Sequence, residues 1–222
     1  MAKLGSRLKA IANQVTFRGQ PIWDCCCDHG YLGLYLLGQP DCISSGSKVH
    51  FVDCVDEIIA RLNARLRAIP SIQGRWQSHC IDVADLPLTE QGGLAHTIII
   101  AGVGGEMVAD MITALNQQFA HLTLDYIVCP VHYEYEMRCR LMAQGMSLFA
   151  EQLIKENGRF YEVIHLGRHG RQPLTAIGQS LWQPMGSVQI QYLDAKIKHY
   201  QRLRLGGQDT AGIISAYQAL LK

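Results

Sequence analysis

The stretch Ile22-Trp23-Asp24-Cys25-Cys26-Cys27-Asp28-His29-Gly30-Tyr31-Leu32-Gly33-Leu34-Tyr35-Leu36-Leu37 decides the fold of this 222-residue chain. Its first six residues form a short, mostly apolar run, which suits a strand buried on both faces of a parallel sheet. Asp28-His29-Gly30 then breaks the run, and 30–37 reads as a helix. The same alternation continues downstream. Val49–Val52 predicts a second strand ending at Asp53, and 55–68 carries apolar residues at helical spacing until Pro70 closes it. Residues 75–81 are a candidate third strand. Thr97–Ala101 is β-branched and leads through Gly102-Val103-Gly104-Gly105 into a helix over 106–119. Tyr126–Cys129 is a strand stopped by Pro130, and 134–144 is a helix ending at Gly145. Two extended runs, 147–155 and 159–166, flank Glu156-Asn157-Gly158, and Asn-Gly between such runs predicts a tight hairpin.

Upstream, residues 2–13 place Leu4, Leu8, Ile11 and Ala12 on one helical face before Gly19-Gln20-Pro21 interrupts the chain. After residue 185, Ile190, Leu193, Ile197, Tyr200 and Leu203 predict one amphipathic helix. Beyond Gly206-Gly207, Ile213, Ile214, Tyr217, Leu220 and Leu221 predict another. Short strands alternating with helices imply an α/β, doubly wound parallel sheet. Here that sheet is closed by an antiparallel hairpin and followed by a small helical hairpin. The expected division is 1–167 for the sheet domain and 168–222 for the helical appendage.

Composition sets the class. Apolar residues make up 48% and charged residues 18%, which excludes a disordered chain, a collagen and a coiled-coil rod. No apolar run approaches the roughly 20 residues that span a bilayer. Three basic residues by position 9, with no apolar stretch behind them, do not read as a secretory signal. A soluble, cytoplasmic protein is expected. The net charge of +1 is unevenly spread: residues 1–20 hold Lys3, Arg7, Lys9 and Arg18 with no acid, while 21–158 hold eight basic and sixteen acidic residues. Residues 159–204 hold seven basic residues against Glu162 and Asp194. Basic ends are compatible with ordinary solvated helices, and also with a face for a polyanion.

The eight cysteines include the consecutive Cys25, Cys26 and Cys27. Neighbouring strand residues point to opposite faces, so these three cannot converge on one ion, and no C-x-x-C pair exists. Reduced, buried small residues are expected, with no metal.

In a doubly wound sheet, ligands bind beyond the carboxyl ends of the strands. Each predicted strand here ends in such a signal: Asp24 to His29, Asp53, Asp82, and Gly102 to Gly105. A dinucleotide would require G-x-G-x-x-G after the first strand, so that backbone amides meet a pyrophosphate. This turn holds acids instead, which suit a ligand with a cationic end.

The run W-D-C-C-C-D-H-G-Y-L-G-L-Y-L (23–36) resembles the D-x-G-S-D-H-A-Y-L-P-x-Y-L signature of the bacterial tRNA (adenine-22-N1)-methyltransferases. I-I-I-A-G-V-G-G (98–105) is similar to that family's I-C-G-M-G-G, and K-E-N-G-R-F-Y-E-V (155–163) to its E-D-G-K-x-Y-E hairpin. The leading helix K-L-G-S-R-L-K-A-I-A and the closing helix Y-L-D-A-K-I-K-H-Y also correspond, so the resemblance spans nearly the whole chain. It implies a Rossmann-like fold, S-adenosyl-L-methionine as cofactor and tRNA as partner. The expected reaction is in-line methyl transfer to N1 of adenine 22, by a monomer or weak dimer away from membranes. Two positions depart from the pattern: Cys26 stands where the family has glycine, and Val131 where its Q-P-N has asparagine. A module that binds cofactor or tRNA without turnover, and a methyltransferase for a small molecule or protein, both stay open.

On this reading Asp24, Cys26, Asp28, His29, Asp53, Asp82, Ala101 and Gly102 hold the cofactor. Asp24 and Asp28 meet its cationic end, Asp53 the ribose and Asp82 the adenine amino group. Asp28 and His29 are also the candidate catalytic residues. Gly104, Gly105 and Pro130 would face the target base, and Lys196, Lys198, Arg202 and Arg204 the tRNA backbone. For each, a bland role competes: capping by Asp28, a plain turn at Asp82, a strand-to-helix turn at the glycines.

Overall fold

The computed structural model describes residues 4–221, so the first two residues of the expected leading helix, Ala2 and Lys3, lie outside the described residues. The helix itself is α1 (Ser6–Gln14). The alternating core follows: β1 (Ile22–Cys25), α2 (Tyr31–Leu37), α3 (Pro40–Ser45), β2 (Val49–Asp53), α4 (Asp56–Arg67) and β3 (Trp76–Cys80). Then come β4 (Ala95–Ala101), α5 (Gly105–Gln118), β5 (Thr123–Cys129) and α6 (Glu134–Ala143). The hairpin is β6 (Ser147–Glu156) and β7 (Arg159–Gly167), followed by the two-residue β8 (Gln172–Pro173), α7 (Ser187–Leu205) and α8 (Ala211–Ala219).

One eight-stranded sheet runs in the order β3-β2-β1-β4-β5-β7-β6-β8. The first five strands in that order are parallel, and the last three join antiparallel. The doubly wound sheet with a closing hairpin is therefore as expected. The hairpin turn needs positive φ at both central residues, and Asn157 (φ 49°) and Gly158 (φ 76°) supply it.

The period-two alternation of each strand separates two cores. Ile22, Phe51, Ile99 and Ile127 face the layer of α1, α2 and α4, burying Ile11, Leu34, Leu36 and Leu62. Trp23, Val52, Ile98, Ile100 and Val128 face α5 and α6, burying Val108, Ile112, Met137 and Leu141. Asp24 belongs to the first face, which directs its carboxylate under α2. That single parity decides its environment.

The helical hairpin α7–α8 builds a third cluster, with Trp182, Tyr192, Leu193, Tyr200, Ile214 and Tyr217 buried together. Polar pairs pin it to the sheet. Arg138 of α6 is 1% exposed and bonds Glu162 Oε2 at 2.8 Å and Glu151 Oε2 at 2.7 Å. Tyr192 of α7 donates to the second oxygen of Glu162 at 2.7 Å. Burial is the largest influence on Glu162 and opposes its charge, but Arg138, Lys196 and the Tyr192 hydrogen bond together outweigh it and hold that carboxyl below its ordinary value. Among the described residues no helix is long and apolar enough to cross a membrane.

Candidate active site

The sheet order reverses beside β1, with β2 on one side and β4 on the other, and a crevice at such a switch point is where this architecture binds ligands. A cleft of about 750 Å³ opens there, at the carboxyl ends of β1, β2, β3 and β4. Its wall includes Asp24, Cys26, Asp28, His29, Asp53, Asp82, Ala101 and Gly102, every residue assigned to the cofactor from sequence.

The loop after β1 is shaped by two residues in the left-handed region, Cys26 (φ 56°) and Asp28 (φ 46°). That conformation costs a non-glycine residue of order 1–3 kcal/mol and persists where surroundings impose it. Here the Cys27 amide donates to the Val52 carbonyl at 3.1 Å and the Asp28 amide to Asp53 Oδ2 at 3.2 Å. Asp53 also accepts from the Val55 amide through Oδ1 at 3.2 Å, so it ties the loops after β1 and β2 together. The backbone demand at Cys26 accounts for a glycine in the related signature.

Asp24 is 4% exposed and accepts a 2.8 Å hydrogen bond from the Gly33 amide, the one partner its carboxylate has among the described residues. Burial pushes its pKa up to about 7, against the lowering effect of that amide. A cation arriving in the cleft would supply the missing partner. Gly33 is required here because a Cβ would overlap the Phe51 ring and approach Asp24 Oδ2.

Asp28 and His29 are exposed, with His29 Nδ1 2.7 Å from Asp28 Oδ2 and its ring stacked 5.5 Å from that of Tyr31. Asp82 is exposed on the cleft wall and caps a short turn by accepting from the Ala84 amide at 2.8 Å. Burial, then the nearby Asp53 charge, pushes the Cys26 thiol up to about 12, leaving it an un-ionised wall residue near neutral pH.

The acceptor side differs from expectation. Ala101, Gly102 and Val103 form the wall, with Val131, Met107 and Met111. A Cβ on Gly104 would overlap the His132 ring, and one on Gly105 the Tyr133 carbonyl. The Gly105 amide donates to the His132 carbonyl at 2.9 Å. These two glycines thus serve close packing of the loops after β4 and β5, and Pro130 is buried and does not line the cleft.

Sequence reasoning counted Arg7 and Arg159 among the basic ends and quoted Tyr161 within a motif, but did not place these three residues at the mouth of the cleft, which they line. The Arg7 guanidinium lies 4.9 Å from the centre of the Tyr161 ring. Ser6 Oγ and the Arg7 amide both donate to Glu156 Oε1, anchoring α1 to the hairpin. Arg159 and Tyr161 sit inside the quoted N-G-R-F-Y-E run. The run was the available signal, but nothing in it says that the hairpin pairs beside β5 and packs against α1.

On α7 the four basic residues separate. Lys198 is paired with Asp194 at 2.7 Å on the surface, and Arg202 and Arg204 are exposed. Lys196 contradicts its assignment to a phosphate backbone. It is 8% exposed, with its ammonium 2.6 Å from Glu134 Oε2, also buried, because α7 packs that face against the start of α6.

The donor set fits a ligand that is cationic at one end and carries ribose hydroxyls: a buried carboxyl lacking a counter-charge, and an edge of carboxylates with no lysine or arginine in the loop 24–29. Comparison with known proteins points the same way. The family model described as "Methyltransferase domain" matches residues 4–164. No curated protein matches the chain in sequence. Among solved structures, Streptococcus pneumoniae Sp1610 in complex with S-adenosyl-L-methionine is 19% identical, with a TM-score of 0.79, over 99% of this chain and 100% of that one. M. capricolum TrmK in complex with S-adenosyl-homocysteine is 16% identical, with a TM-score of 0.72, over 97% and 93%. The B. subtilis M1A22 tRNA methyltransferase TrmK is 18% identical, with a TM-score of 0.69, over 100% and 95%. At these identities the likeness establishes a shared fold along the full chain.

Proposed function

This chain belongs to the methyltransferase-domain family, and on that premise we propose that it transfers a methyl group from S-adenosyl-L-methionine to N1 of an adenine in tRNA. The observation that carries the cofactor is the clustering of Asp24, Asp28, Asp53 and Asp82 around one cleft at the strand switch point. The acceptor rests on the full-length likeness to solved tRNA methyltransferases and on the sequence signature at 23–36. Adenine 22 is the position that signature implies. We place the reaction in the cytoplasm, carried out by a monomer or weak dimer without a metal, with 168–222 as the helical appendage.

Bound in the cleft, the cofactor supplies an electrophilic methyl on a sulfonium. Asp24 and Asp28 would hold its charged end, Asp53 the ribose hydroxyls and Asp82 the adenine amino group. Adenine N1 already has a lone pair, so the chain need supply no nucleophile and no general base. Its contribution is alignment and a dry site. Val103, Met107, Met111 and Val131 give the acceptor side an apolar wall that a bound base would cover. Positive charge grows on the acceptor ring as N1 is alkylated. Asp28, steadied by His29, would accept from the exocyclic amino group and stabilise that charge. The acceptor edge must be unpaired to reach the cleft, so local unstacking of the tRNA is required.

The test is incorporation of labelled methyl from S-adenosyl-L-methionine into a bulk tRNA pool, with nucleoside analysis. Accumulation of 1-methyladenosine is expected. Absence of label, in protein that still binds the cofactor by calorimetry, would overturn the acceptor. Absence of cofactor binding would overturn the reading of the cleft.

A further inference from the structure

A second cavity of about 570 Å³ adjoins the cleft, between the start of α6, the end of the hairpin and α7. Val131, Arg159 and Tyr161 line both cavities and form the divide between them. We propose that this recess holds an unstacked nucleobase next to the acceptor adenine, with the Tyr133 ring as its stacking face. The proposal rests on the tRNA reading above and adds to it a specific subsite.

Three observations carry it. The first is the character of the walls. Tyr133 and the half-buried Phe160 present aromatic surface, the buried Tyr192 and Tyr200 back the wall, and His132 and His199 add polar edges. Aromatic faces with interspersed hydrogen-bonding groups are how proteins hold single-stranded bases. The volume lies within the roughly 300–1,000 Å³ typical of small-ligand sites.

The second is the backbone at Tyr133. Its φ of 60° is left-handed, yet its ring is 46% exposed at the recess, edge-on to His132 with centroids 4.6 Å apart. A bulky residue seldom adopts this conformation. An exposed aromatic gains nothing by it in the free fold. Glycine or asparagine would satisfy the same turn at less cost, and Tyr133 instead sets an aromatic ring at the recess.

The third is charge placement. Two adjacent nucleotides are joined by one phosphodiester. A base in the cleft and its neighbour in the recess would put that phosphate at the divide, where the exposed Arg159 stands with no side-chain partner among the described residues. The cation deeper in the recess, Lys196, is already neutralised by Glu134. The recess floor therefore suits an uncharged base, and its rim a phosphate.

The experiment titrates full-length protein, with saturating S-adenosyl-homocysteine, into a short single-stranded RNA carrying 2-aminopurine beside an adenine. Wild type and Tyr133→Phe are expected to bind it and quench the 2-aminopurine. Tyr133→Asn, which tolerates the left-handed backbone, should bind about tenfold more weakly and lose the quenching, in keeping with the loss of one base stack. S-adenosyl-homocysteine affinity should stay within twofold in all three. Equal binding and quenching by wild type and Tyr133→Asn, or no quenching by wild type, overturns the recess. Methylation of the tRNA pool by wild type is scored separately: label without quenching refutes the recess and leaves the activity standing, whereas quenching without label does the reverse.

Discussion

Replacing Asp24 with Asn should stabilise the ligand-free protein at alkaline pH while removing the pH dependence of cofactor binding. The carboxyl is buried, has the Gly33 amide as its partner, and titrates near 7 instead of 3.8. Because the folded value is raised, the stability linked to this group is fully present below pH 3.8 and is lost as pH rises through about 7. At about 1.4 kcal/mol per tenfold, the interval corresponds to a ceiling of about 4 kcal/mol, of which about 2 kcal/mol falls between pH 5.5 and 8. Asn keeps an acceptor for Gly33 and cannot ionise. Urea denaturation of both proteins across that range should give a stability gap, in favour of Asn, that widens by about 2 kcal/mol. Using the difference cancels the opposing contribution of buried histidines. In calorimetry at pH 6.5, wild type should release a proton on binding S-adenosyl-L-methionine, because the cationic end draws Asp24 into its ionised form, and Asn should not. A gap that stays constant with pH, or identical proton release by both proteins, would refute this account of Asp24.

Gly33→Ala drives a methyl into the Phe51 ring and towards Asp24 Oδ2. It should cost about 1–3 kcal/mol in denaturation and weaken cofactor binding, and Phe51→Leu should restore part of both. His50 is neutral in the fold. Burial holds it near 3, its Nδ1 lies 3.0 Å from His79 Nε2, and its ring stacks on Trp23. With the folded value depressed, stability should fall as pH drops below 6.5, and His50→Phe should flatten that acid limb in a denaturation series. On α7, Lys198→Glu, Arg202→Glu and Arg204→Glu combined should weaken tRNA binding and shallow its salt dependence. Lys196→Met should leave the salt slope unchanged while lowering the melting temperature, because it strands the buried Glu134. An unchanged slope in the triple variant would remove α7 from the tRNA interface.

The strand-helix order was legible because parallel strands are buried on both faces and need a polar break before each crossover. Asp28-His29-Gly30, Asp53 and Gly102-Val103-Gly104-Gly105 are such breaks, and the cleft gathers around them. Elements without a periodic apolar face were not legible: α3, six residues with one buried side chain, and β8, two exposed residues. Long-range partnership was equally hidden. A basic residue at helical spacing reads as solvent-facing until its partner is known, and Glu134 lies 62 positions from Lys196. Gly104 and Gly105 were read as backbone facing a base, whereas their absence of Cβ makes room for His132 and Tyr133. Arg7 and Tyr161 meet across 154 positions of chain, a proximity created by the hairpin closing beside β5.

Backbone strain marks out the site independently of its chemistry. Among the described residues four non-glycines have positive φ. Asn157 is accounted for by its hairpin turn, and asparagine pays little for that geometry. The other three, Cys26, Asp28 and Tyr133, stand on walls of the two adjoining cavities, Cys26 and Asp28 on the donor side and Tyr133 on the acceptor side. None of these cavity-wall side chains is nine-tenths buried, so packing of the side chain does not compensate the backbone cost. What holds each in place is its neighbours' hydrogen bonding: Asp53 grips the Asp28 amide, Val52 the Cys27 amide, and Gly105 the His132 carbonyl. A chain under selection for stability alone would relax these positions to glycine or asparagine. Cysteine, aspartate and tyrosine hold these positions at a backbone cost, with their side chains on the cavity walls. It follows that Cys26→Gly should stabilise the free protein by relieving the left-handed strain, and any accompanying change in S-adenosyl-L-methionine affinity measures what the thiol contributes at that wall.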